Sequence, residues 1–195
     1  MIWNEHSMLK DTHAFLGGSN YHWLNYDLDK LKGTWLNLRA KQEGSELHAI
    51  AQQCIDHKIF LKGNRQTLPM YVNDAIHFNM RTEQPLVYSV NCFGTADAIR
   101  FDEKKSFLRI HDLKTGVVPA HMEQLKIYAA LFCLEYGKRY SYKVETDGSN
   151  IELRIYQNDD IQIAHPNDVE ITAIMDKIID FDKHITEWSG NINGH

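Results

Sequence analysis

The chain has 195 residues with a formal net charge of −5, and 43% of it is hydrophobic and 24% charged. Those values are ordinary for a soluble globular protein and suffice for one domain with a substantial core. They withhold the basic excess that announces many nucleic-acid binders, so any such contact must rest on local charge.

In chain order, residues 1–32 read as aromatic-rich and irregular, with Trp23 and the following Trp35 as core or lid anchors. A helical stretch between Thr34 and Phe60 is expected to bend at Gly44, with Ser45 as an N-cap and Leu47, Ile50, Ala51, Cys54 and Ile55 as its buried stripe. His48 flanks that stripe, and Glu46 points to solvent. Residues 63–81 give a connecting loop and one short helix. The β-rich run Leu86 to Phe93 leads into strands over 95–101 and 107–113, joined by the polar tip Asp102 to Lys105.

After the break at Val117 to Ala120, the apolar periodicity predicts a helix from His121 to Glu135 that ends at Gly137. Strands over 140–145 and 151–156 read as a second hairpin around Thr146 to Ser149. A last helix starts near Asn167, where Glu170 completes a capping box, with Ile171, Ile174, Ile178, Phe181 and Ile185 as its stripe. Residues 189–195 read as a frayed tail. The expected fold is α/β, a central mixed β-sheet flanked by helices, in a single domain over residues 1–188. No apolar run reaches the length of a membrane span and the N-terminus lacks the pattern of a signal peptide, which points to the cytoplasm.

The chemistry concentrates between Gly94 and Tyr128. If Phe101 pairs with Ser106, Asp97 lies opposite Ile110, and Asp97 and Asp112 become diagonal neighbours on one face, about 7–8 Å apart. Lys114 shares that face, whereas His111 and Leu113 point away. Two carboxylates sharing a cation, with an ammonium beside them, suit Mg2+ or Mn2+ and a phosphate ester substrate. Asp-x-Lys alone equally describes a solvated ion pair at a strand edge, and Gln124 with Tyr128, one helical turn apart, equally describes a capping Gln and a core Tyr.

Taken together, Asp97, the Asp112-Leu113-Lys114 run, Gln124 with Tyr128, and His48 after Gly44-Ser45 resemble the motifs of the PD-(D/E)XK nuclease superfamily, in the branch of RecB-like nucleases and phage exonucleases. The resemblance spans about residues 5–188, with Ser7 to Leu16 as the counterpart of an opening Ser-x-x-Leu element. It implies a restriction-endonuclease-like core and a metal-dependent deoxyribonuclease of phage recombination or repair type, acting as an end-dependent exonuclease. An endonuclease on the same fold, or a non-catalytic nuclease-derived DNA-binding module, are the alternatives. Catalysis is then expected from Asp97, Asp112 and Lys114. The metal falls to His48, Asp97, Asp112 and the backbone carbonyl of Leu113, and Gln124 and Tyr128 contact DNA or order the site.

The implied partners are DNA and either a recombination protein or further copies of the chain. Cys54, Cys92 and Cys133 form no Cys-x-x-Cys pair and read as buried reduced thiols, unlike the four cysteines that hold an iron–sulfur cluster in some relatives, so no cluster is expected. Lys10, Arg39, Lys41, Lys126, Lys138 and Arg139 are the candidates for a locally basic groove.

Overall fold

The structure, a computed structural model, describes residues 14–16, 18–63 and 65–192. Lys10 and most of the Ser7 to Leu16 stretch therefore lie outside the described residues. The chain forms two compact units, Met1–Ser45 and Glu46–His195. In the first, a 3-10 segment over Gly18–Asn25 precedes helix α1, Leu28–Asp56, which continues into the second unit.

Helix α1 begins at Leu28 rather than Thr34 because Asp27 caps it, its Oδ1 accepting the Lys30 N–H at 2.8 Å. It runs unbroken through Gly44. Ser45 is not a cap: its hydroxyl donates to the Lys41 carbonyl four residues back, the bond a serine makes in a helix interior. Trp35 is about half exposed, which leaves it outside any core. Of the expected stripe, Ala51 and Ile55 are buried, Leu47 and Cys54 are half-buried, and Ile50 faces solvent.

The second unit holds a five-stranded mixed sheet flanked by helices, as the sequence predicts. Helix α2, Thr67–His77, leads into β1, Arg81–Ser89, β2, Cys92–Asp102, and β3, Phe107–Leu113. Then come α3, Glu123–Phe132, a π-helical turn over Cys133–Gly137, and α4, Lys138–Tyr140. Strands β4, Ile151–Gln157, and β5, Asp160–Ala164, precede α5, Asp168–Ile192. The strands lie in sequence order, antiparallel except for the parallel β3–β4 pair. No described helix is long and apolar enough to cross a membrane.

Each face of the sheet buries its own core. Leu86, Leu108, Ile110, Leu153 and Ile155 pack against Leu125, Ala129 and Phe132 of α3 and Ile171 of α5. On the other face Ala98, Leu113 and Tyr156 pack against Ala51 and Ile55 of α1 and Tyr71, Val72 and Ala75 of α2. Truncating a fully buried leucine such as Leu86 removes contacts on the order of 2–5 kcal/mol, a large part of a domain's stability.

Three elements differ from those the sequence predicts. The helix does not stop at Gly137 but continues to Tyr140 and ends on left-handed Ser141 (φ 53°). Gly137 is needed for another reason: an added Cβ would lie 2.9 Å from the Tyr142 carbonyl oxygen. The hairpin around Thr146 to Ser149 does not exist. Residues 141–150 instead fold onto Asn150, whose side chain accepts the Glu145 N–H at 2.9 Å and donates to the Lys143 carbonyl at 2.8 Å. The hairpin partner of β4 is β5, across a turn in which Asn158 (φ 52°) and Asp159 (φ 59°) are both left-handed. Finally, helix α5 extends through Ile192, so most of the expected tail is helical; residues 193–195 lie outside the described residues.

The capping box forms as expected, with Glu170 N–H donating to Asn167 Oδ1 at 3.0 Å and Asn167 N–H to Glu170 Oε2 at 3.1 Å. Ile171 is buried and Ile174 and Ile178 pack on the core, but Phe181 is 56% and Ile185 37% exposed, so only the first half of α5 closes the core.

Candidate metal centre

Strand β2 carries Asp97 at a point where its alternation inverts. Ala96 faces the α3 and α5 core and Ala98, two residues on, faces the α1 and α2 core. The neighbouring strand is irregular at the same level. Thr82 pairs with Ala98 and Gln84 with Ala96, while Glu83 between them has a left-handed backbone (φ 47°) and falls opposite Asp97. Backbone in this region costs a non-glycine residue about 1–3 kcal/mol and concentrates at functional sites.

On the other side of Asp97, the β2–β3 register differs from the expected one. Phe101 pairs with Leu108 and Asp102 with Phe107, so the tip is Glu103 to Ser106. The Asp102 carboxylate fixes that turn by accepting the Lys104 and Lys105 N–H groups at 3.1 and 3.2 Å, and left-handed Ser106 (φ 49°) closes it. Ala98 therefore pairs with His111, which sets Asp97 directly opposite Asp112 instead of diagonal to it. The predicted faces survive, because the change keeps side-chain parity.

Around this axis the predicted residues converge. His48, from α1, places Nδ1 3.5 Å from Asp97 Oδ2. Lys114 Nζ donates to Asp112 Oδ1 at 3.1 Å and to Gln124 Oε1 at 2.8 Å, and Gln124 Nε2 donates to the Tyr128 hydroxyl at 2.9 Å. The Tyr128 ring lies over Gly94, where a Cβ would meet its Cε1 at 2.7 Å. Leu113 reaches the site through its N–H, which donates to Asp97 Oδ2 at 3.0 Å; its side chain is buried in the α1 and α2 core.

Sequence reasoning missed two residues. Glu83, His48 and Asp97 each offer a ligand atom within 4.8 Å of the others. The signal in the sequence was an acid on the strand preceding Asp97, but its placement depends on a backbone irregularity that no periodicity reveals. Tyr71 of α2 is buried near both aspartates, and burial together with their charge raises its pKa well above the usual phenol range.

The electrostatics favour a cation. Asp112 is 1% exposed, and burial, reinforced by Asp97 and opposed by Lys114, pushes its pKa up from 3.8 to about 6. Lys114 Nζ also lies 2.9 Å from Asp112 Oδ2, but at an angle that makes no hydrogen bond, so among the described residues this buried oxygen has no hydrogen-bond partner. Burial, then Asp97, also raises the pKa of Glu83, with His48 opposing. Carboxylate oxygens with one imidazole suit Mg2+ or, better, Mn2+, so the residues present fit the expected ion.

Behind the site, His111 Nδ1 lies 3.2 Å from the Tyr156 hydroxyl, which donates to Asp74 Oδ2 at 2.7 Å; Arg154 joins the same oxygen at 2.9 Å. This partly buried network anchors β3 and β4 to α2. Of the expected basic groove, Lys126 is paired with Glu170 at 2.6 Å and Arg39 with Glu43 at 3.3 Å, leaving neither as a free cation. The cysteines are free thiols, Cys133 buried and the other two half-buried.

No protein-family model, curated protein or solved structure matches the chain.

Proposed function

We propose that the protein is a metal-dependent nuclease of the PD-(D/E)XK type, hydrolysing phosphodiester bonds in DNA from a free end. The observation that carries this is the convergence of His48, Glu83 and Asp97, whose ligand atoms lie within 4.8 Å of one another, with Asp112 close enough to feel the charges of Asp97 and His48 and to hold Lys114 together with Gln124. Glu83, His48, Asp97 and Asp112 are the residues that would hold the cation. Once bound, Mg2+ or Mn2+ neutralises charge on the phosphodiester and acidifies water.

The residues of the chain do the rest. Lys114 is fixed between a carboxylate and an amide oxygen, so its ammonium is presented without rotational freedom to the charge that builds on the phosphoryl oxygens. Gln124 and Tyr128 act as positioning residues for that ammonium. In the reaction, water oxygen bonds to phosphorus, one P–O ester bond breaks, and a proton passes to the departing sugar oxygen.

The test is purified protein with Mn2+ and end-labelled linear or covalently closed circular DNA. Expected are degradation of the linear form to short products, survival of relaxed closed circles, and loss of cleavage in Lys114→Ala with cation affinity retained. Discrete fragments from closed circles would replace the exonuclease with an endonuclease. Wild-type cleavage by Lys114→Ala would remove the site assignment altogether.

A further inference from the structure

Beyond the carboxyl ends of the parallel pair β3 and β4 lies a cavity of about 330 Å3 that shares only Leu113 and Lys114 with the site above. Crevices outside the carboxyl ends of parallel strands are where α/β sheets bind ligands, and this volume is at the small end of the range for ligand pockets. Its apolar wall is Leu47 of α1, Leu68 of α2 and Leu113 of β3. Its polar rim is Thr115, Asn158 and Asp159. Lys114 belongs to both the cavity and the candidate metal centre, so an occupant sits directly beside the latter.

The rim is partly fixed and partly free. Asp159 Oδ1 accepts the Thr67 N–H and hydroxyl at 2.8 and 3.0 Å, and Thr67 Oγ1 accepts the Asp159 N–H at 2.7 Å. These bonds clamp the β4–β5 turn to the start of α2. Among the described residues, the other Asp159 oxygen and the side chains of Thr115 and Asn158 form no hydrogen bond. A phosphate group is disfavoured inside the cavity, because the Asp159 carboxylate on its rim repels it. A flat, neutral group with an apolar face and hydrogen-bonding edges fits: the leucines take the face, and the rim reads amino donors and ring acceptors.

We propose that this cavity is a nucleobase pocket, taking the base of the nucleotide adjacent to the scissile phosphate. The proposal rests on the nuclease reading and sharpens its substrate. A base inside a duplex is stacked and paired and must be pulled out to enter such a pocket, so the preferred substrate is a single strand or a frayed end. The free carboxylate oxygen of Asp159 favours bases that present an amino group, cytosine, adenine and guanine before thymine.

The experiment moves one abasic position stepwise along a short end-labelled single strand and measures cleavage with Mn2+. The expected result is one position, at a fixed distance from the cut, where removing the base lowers kcat/KM about tenfold, chiefly through KM. Leu68→Trp, which fills the cavity, should reduce cleavage of the intact strand and abolish that abasic effect. Asn158→Ala and Thr115→Ala, at exposed positions, should weaken the preference among bases while leaving Mn2+ affinity unchanged. Equal cleavage at every abasic position, or faster cutting of blunt duplex than of single strand, would overturn the pocket.

Binding is read separately from cleavage through the methyl signals of Leu68 and Leu113 on addition of cytidine monophosphate. Shifts confined to the cavity, with no cleavage of any DNA, would sink the nuclease reading and uphold the pocket. Cleavage without such shifts would do the reverse.

Discussion

Asp112 is a residue whose ionisation works against the fold. Its pKa is higher in the folded state, about 6, than the ordinary 3.8, so its contribution to stability is fully present below about pH 4 and is lost as pH rises through 6. The penalty above that window is on the order of 3 kcal/mol. Asp112→Asn should therefore raise the unfolding temperature of the metal-free protein at pH 8, flatten its change between pH 4 and 7, and remove stabilisation by Mn2+. A lower midpoint at pH 8 would mean that the Lys114 pair outweighs the burial. Glu83 poses the same conflict through its backbone. With φ at 47°, Glu83→Gly relieves strain of about 1 kcal/mol, so thermal unfolding should shift upward while Mn2+ affinity, measured calorimetrically, falls. Unchanged affinity would take Glu83 out of the cation's surroundings.

At the scale of elements, α3 serves the site through a chain of contacts. Tyr128 can approach β2 only because residue 94 has no side chain, and from there its hydroxyl holds Gln124, which holds Lys114. Gly94→Ala would place a Cβ 2.7 Å from the ring and force it away. We expect a loss of cleavage of tenfold or more, with an unfolding midpoint that moves by a few degrees at most; equal losses in both would make the contact merely structural. The sequence made much of this legible. Asp97, Asp112 and Lys114 announce themselves by strand parity, and the Asn167 and Glu170 capping box by local chemistry. Four things were not legible. The start of α1 hinged on Asp27 acting as a cap. The β2–β3 register hinged on which residues Asp102 would bond. The partner of β4 was hidden because a strand buried on both faces reads alike in a hairpin and in a parallel pair. The place of Glu83 depended on a kink shared by two strands, which one strand's pattern cannot show.

Across the whole molecule, the one parallel contact sets a timetable. Ala98 and His111 are only 13 residues apart (111 − 98), so β1, β2 and β3 can zip as a local meander. Leu108 and Ile151 are 43 apart (151 − 108), with α3 between them, and closing that span costs more chain entropy and more time. Glu83, Asp97 and Asp112 are thus brought together early, on a three-stranded sheet whose β3 edge is still open. Docking of β4 then buries Asp112 and delivers Asn158 and Asp159 to the cavity. Pulse-labelled hydrogen exchange during refolding should find the β2–β3 amides protected before the Lys114 amide, which donates to the Tyr156 carbonyl at 2.9 Å; simultaneous protection would contradict this order. A chain still emerging from the ribosome would then display its carboxylates well before the cavity beside them is complete, so the cleavage proposed above would be acquired only with the last strands to join the sheet.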